Sequence, residues 1–177
     1  FGNTGAYEKL EGTIEFALDP SDPHNKAVVD LEHAAKGPDG KVHFTADLFV
    51  LQPVDASKGN GVLLFEISNR GNKGMLGRFN RARNVDDPMT AEHMGDGFLM
   101  REGYTLVWVG WQLDVAAPKL RVVAPAANVT GRVTVTTIQN ESRTDATLND
   151  LPGEYVPVDA NDPASTLTVR TLFRDQP

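Results

Sequence analysis

Two stretches of the chain, residues 62–67 and 104–111, are nearly unbroken apolar runs, whereas most other apolar residues alternate with polar ones. A strand covered on both faces reads as a continuous run, and a strand with one wet face alternates. Residues 62–67 therefore predict a doubly covered strand. It ends at Ser68-Asn69-Arg70-Gly71-Asn72-Lys73-Gly74, where glycine and asparagine tolerate positive φ and permit a sharp reversal. Residues 98–102 form a helical patch closing on Gly103, which suits the left-handed position past a helix end. Residues 104–111 follow as a second strand. A hairpin needs only a short turn, so two apolar strands joined by a helical crossover predict a parallel pair.

Alternation marks the N-terminal third. Residues 11–18 place Ile14, Phe16 and Leu18 on one face and stop at the turn cluster 19–23, and residues 26–31 predict a short second strand. Residues 42–51 predict a longer strand whose start carries His43, Thr45 and Asp47 on one face, while Phe49 and Leu51 make that face apolar at its end. One end is thus half exposed and the other buried. The segment 80–97 is polar, interrupted by Pro88, and reads as a mobile loop in which Thr90 caps a short helix at 91–94. Further strands are predicted at 120–124, 131–138, 155–158 and 166–172, with the polar stretch 139–150 between them. The reading is an α/β, β-rich chain, a single domain or part of one: a mixed sheet begins over 7–114, and 115–177 is a β-rich extension forming an antiparallel lobe.

Composition changes this picture only by exclusion. A chain of 177 residues, 40% hydrophobic and 23% charged, has enough apolar material for one buried core, as an ordinary globular domain does. Its net charge of −7 argues against nucleic acid as a partner, because phosphate binding needs clustered Lys and Arg. Arg78, Arg81 and Arg83, following Lys73, form the one basic concentration; the alternatives are a local anion-attracting patch and a solvated helical or loop face, and the trio reads as the latter. No run approaches the roughly 20 apolar residues of a membrane helix. The chain is read as soluble, without a membrane span. Cysteine is absent, which removes disulfides and thiolate metal sites and leaves the compartment open, the periplasm and the cell exterior included. The start at Phe1 implies processing or a cut boundary.

Candidate chemistry is sparse. None of Ser21, Ser57, Ser68, Ser142 and Ser165 lies in a Gly-x-Ser-x-Gly context, the setting of a nucleophile elbow. Only Ser68 ends a buried strand, and its bulky neighbours Ile67 and Asn69 suit an elbow poorly. His24, His33, His43 and His93 share no metal-ligand spacing. The aspartates Asp19, Asp22, Asp86, Asp87, Asp159 and Asp162 accompany Pro or Asn, where short carboxylates stabilise turns. No metal and no cofactor is expected. What is left is the turn 68–74, whose backbone amides, at the carboxyl end of a parallel strand, suit an oxyanion or a phosphate. Without the Lys-Ser/Thr ending of a P-loop, it reads equally well as a plain strand-to-helix turn.

Residues 46–53, ending in Pro53, then 61–72 with Asn69-Arg70-Gly71-Asn72, then 98–112 with Arg101-Glu102-Gly103-Tyr104 and Gly110-Trp111-Gln112, together resemble the opening of an α/β-hydrolase. More narrowly, they are similar to a bacterial group of large, mostly uncharacterised proteins with that domain. The resemblance implies an N-terminal part of a hydrolase-like mixed sheet and a parent esterase activity on a small-molecule ester without a cofactor. Asn69, Arg70, Gly71 and Asn72 would be its oxyanion-side loop. It also implies that nucleophile, acid and base lie outside this chain, in the remainder of the parent polypeptide or a complementary chain, so that the 177 residues alone are inactive. The rival expectation is a non-catalytic β-rich binding or assembly module. Tyr104 and Trp108 share one strand face and Trp111 takes the other, so these aromatics offer no single platform and read as core.

Overall fold

Twelve-residue strands at the N-terminus set the frame: β1 (Tyr7–Leu18) pairs antiparallel with β2 (Val42–Pro53) along its whole length, from Tyr7 opposite Pro53 to Leu18 opposite Val42. The computed structural model describes residues 1–125 and, beyond them, 129–134, 136, 138, 141, 158, 159, 161–170 and 172. They belong to two compact units, residues 1–129 and 130–177.

In the first unit β3 (Leu63–Ile67) is followed by α1 (Gly74–Asn80), α2 (Phe98–Arg101), β4 (Thr105–Val109) and β5 (Val122–Val123). The result is a β-rich, mixed α/β arrangement with few helices. Its five-stranded sheet has the order β1-β2-β4-β3, with β5 also pairing β2. As the apolar runs predict, β3 and β4 lie parallel, Leu63 opposite Thr105 and Ile67 opposite Val109. Gly103 follows α2 at φ +77°.

The core lies on one face of the sheet. Phe49 and Leu51 of β2 and Leu106 and Trp108 of β4 pack there against Met75 and Leu76 of α1 and Leu99 and Met100 of α2. As predicted, β2 goes from a half-exposed start to a buried end, and residues 49–51 are all buried. Tyr104 packs on the core and Trp108 lies fully inside it, but Trp111 is exposed. The expectation of two covered faces on β3 is corrected: Leu63, Phe65 and Ile67 are 58%, 50% and 70% exposed. Among the described residues β3 ends the sheet, and the helices cover only the face that carries Glu66.

The strand expected at 26–31 is also corrected, to 3-10 turns over Pro23–Ala27 and Leu31–His33. Asp22 accepts the His24 amide at 2.8 Å and Asp30 turns left-handed at φ 59°, so local capping outcompetes an extended run without a partner strand. The 80–97 segment does contain the short helix, 3-10 over Ala91–Met94, although Thr90 makes no side-chain cap bond. This segment is pinned from within. Asn80, fully buried, donates to the Met94 carbonyl at 3.0 Å and accepts the Leu99 amide at 2.9 Å. The strand at 120–124 shrinks to the two residues of β5. Residues 166–170, and those described within 131–138, are not in strands, so the expected C-terminal strands at 131–138 and 166–172 are not formed over the described residues. The one expected at 155–158 lies outside them except for Val158.

Tyr7 bridges the start of β1 to the α2–β4 junction, its hydroxyl donating to the Tyr104 carbonyl at 2.8 Å and the Met100 carbonyl at 3.2 Å. Burial pushes its pKa up from 10.0 to about 12. A proton held more tightly in the folded than in the unfolded state stabilises fully below the unfolded pKa. Stability is therefore expected to fall between pH 10 and about 12 as the unfolded phenol ionises first. Urea denaturation of the wild type and Tyr7→Phe across that window checks this, because the variant should lack that part of the alkaline loss.

Candidate functional site

β4 leaves the sheet at Gly110, whose amide donates to the Asp47 carbonyl at 2.8 Å, and the chain rejoins at Arg121, whose carbonyl accepts the Asp47 amide at 3.0 Å. The Asp47 carboxylate takes the Arg121 amide at 3.0 Å as well. Only glycine permits so close a crossing. A Cβ on Gly110 would stand 2.3 Å from the Arg121 carbonyl oxygen. Residues 111–120 are thereby projected as an excursion over the turn between β3 and α1.

That turn is the loop singled out by sequence. Asn69–Gly71 form one 3-10 turn at the carboxyl end of β3, with Arg70 at φ 54° and Gly71 at φ +69°. A non-glycine residue in the left-handed region costs roughly 1–2 kcal/mol, and bonds from the excursion offset that cost at Arg70. Its amide donates to Gln112 Oε1 at 2.6 Å. Its guanidinium donates to Asp114 Oδ2 at 2.5 Å and to the Asp114 carbonyl at 2.9 Å. The bond from Arg70 holds the Asp114 carboxyl below the usual carboxylate range. The indole of Trp111 donates to the Ser68 carbonyl, and the Leu120 amide donates to the Gly71 carbonyl at 3.2 Å.

The four predicted residues are thus contiguous but differently used. Asn69 and Arg70 are exposed, Asn72 is half-buried and Gly71 is buried. The Asn72 amide and side chain both close on the Asn69 carbonyl, at 3.2 and 2.8 Å. Ser68 is fully buried, and its hydroxyl makes no hydrogen bond. His93 is a local brace, its Nδ1 accepting the Met89 amide at 3.1 Å. Among the described residues no group of three or more His, Asp or Glu is placed to hold a metal ion.

Below the loop, Glu66 binds the sheet to α1. Its carboxylate is inside the protein and accepts the Trp108 indole N–H at 2.6 Å, the Met75 amide at 2.7 Å and Arg78 Nη1 at 2.7 Å. A lone carboxylate inside an apolar strand was the sequence signal, since a buried charge needs partners. Arg78, Arg81 and Arg83 are exposed, as expected of a solvated face, whereas Lys73 before them is buried, 4.3 Å above the Phe49 ring, and donates to the Asp86 carbonyl. Burial lowers its pKa, against the opposing pull of Asp87, Glu11 and Asp86.

No family model, curated protein or solved structure matches the chain. Among the described residues no helix is long and apolar enough to cross a membrane.

Proposed function

We propose that the chain is the N-terminal segment of a serine-hydrolase-like, esterase-type protein, contributing the oxyanion-side loop Asn69-Arg70-Gly71-Asn72 while another polypeptide contributes the nucleophile. In α/β-hydrolases one oxyanion N–H comes from the residue after the nucleophile and another from the loop between the third strand and the helix that follows it. The observation that carries the reading is the position of this loop: it follows β3, at the carboxyl end of a parallel pair, and leads into α1. Its amides would stabilise the negative charge that develops on a substrate carbonyl as the serine attacks. The substrate class is a small-molecule ester, and no cofactor is needed.

A second observation favours the partner, the remainder of the parent polypeptide or a complementary chain. Among the described residues β3 has no strand on its outer side, and its bare face is apolar, whereas parallel sheets are ordinarily covered on both faces. The same bare face favours the alternative, a non-catalytic assembly module. The two readings separate in one assay. On the hydrolase reading, the chain alone is expected neither to react with a fluorophosphonate probe nor to cleave a chromogenic butanoate ester. Joined to the polypeptide encoded beside it, it is expected to do both. Complex formation without labelling or turnover would leave assembly as the function.

A further inference from the structure

The Arg70 amide is occupied by a carbonyl oxygen from the protein itself, that of the Gln112 side chain at 2.6 Å. A carboxamide C=O presented to a backbone N–H reproduces what a substrate carbonyl offers an oxyanion donor. We infer that Gln112 is an internal stand-in for the substrate carbonyl: its Oε1 fills the oxyanion position on the Arg70 amide in the resting state and is displaced by the substrate oxygen. This rests on the reading of residues 69–72 as the oxyanion-side loop.

The parts around the contact allow such an exchange. The Gln112 backbone is tied down separately, its carbonyl accepting the Val122 amide at 3.1 Å, so the side chain can swing away without unpairing β5. The Arg70 side chain stays clamped to Asp114, which keeps the left-handed backbone and the aim of its N–H unchanged while the acceptor is replaced. Gln112 is half-exposed, and an exposed neutral hydrogen bond is weak enough for a ligand to replace. A substrate carbonyl on its way to an alkoxide gains negative charge and becomes the stronger acceptor, as charge-assisted bonds are. The Gln112 amide stays neutral. The contact thus holds the donor aligned and occupied until substrate arrives, making Gln112 a positioning residue.

The test uses the 177-residue chain and butanoate, a carboxylate oxyanion, as probe, read by amide NMR and hydrogen exchange. Gln112→Ala is expected to speed exchange of the Arg70 amide about fivefold and to tighten butanoate binding at residues 69–72 by a similar factor, the size of one modest hydrogen bond. Gln112→Met, which keeps the bulk without the acceptor, should behave alike. Gln112→Glu should restore protection of the Arg70 amide and exclude butanoate. Unchanged Arg70 exchange, or equal butanoate affinity in the wild type and both acceptor-free variants, would overturn the inference and leave the oxyanion reading standing. An Arg70 amide set free by Gln112→Ala and Gln112→Met while butanoate shifts no amide of residues 69–72 would overturn that reading and the inference with it.

Discussion

Replacing Glu66 with alanine is expected to lower the unfolding free energy by about 3–5 kcal/mol, because it strands the Trp108 indole N–H and the Met75 amide at roughly 1–3 kcal/mol each. Both donors lie in the buried interior and donate to the same oxygen, Glu66 Oε2. Arg78 loses its partner too, but its side chain is 67% exposed, so water replaces that bond at little cost. Glu66→Gln should cost less, since an amide oxygen still serves one or both stranded donors. Urea denaturation followed through the emission of Trp108 and Trp111 measures the series. A loss for Glu66→Ala no larger than that for an exposed carboxylate such as Glu8 would show that the network is not the clasp between β3, β4 and α1.

Gly110→Val is expected to be similarly damaging, at about 3 kcal/mol or more, because overpacking against immovable backbone exceeds the usual 1–3 kcal/mol of core crowding. The Cβ would meet the carbonyl oxygen, carbon and nitrogen of Arg121 at 2.3, 2.4 and 2.5 Å. No rotamer relieves a collision made by the first side-chain atom. The strand end or β5 has to move, and the Asp47 bonds to Gly110 and Arg121 go with it. The excursion carrying Trp111, Gln112 and Asp114 should then come away from the 68–73 loop. Faster exchange of the Arg70 amide together with loss of Val122 and Val123 protection would report this. If both remain protected while stability falls, the crossing does not anchor the excursion. The same geometry limits Gly71 as a functional probe. A Cβ there meets the Leu120 carbonyl oxygen at 2.3 Å in addition to the positive φ, so Gly71→Val disturbs packing whatever the loop binds.

Elements whose signal is local were legible in the sequence. The alternation of β1, the half-wet and half-dry faces of β2 and the glycine closing α2 each follow from steric and solvation rules acting within a few residues. The parallel sense of β3 and β4 was legible as well, because a crossover of this length leaves no short hairpin to close. The pattern also located the loop 68–74, since strand, polar glycine-rich stretch and helix appear in that order.

What needed the tertiary structure was every partner distant in the chain. Gln112 lies 42 positions from Arg70 and Asp114 lies 44, and Trp108 is 42 from Glu66. No periodicity links such positions; the parallel pairing of β3 with β4 and the crossing at Gly110 bring them together. The exposure of Leu63, Phe65 and Ile67 was hidden for the same reason. A run of apolar residues states what a strand would gain from being covered, while its place at the sheet edge decides how much cover it has. Residue chemistry therefore determined the long strands β1 and β2, the parallel pair and the turn between β3 and α1. Long-range pairing alone decided that the loop's Arg70 amide faces a glutamine carbonyl.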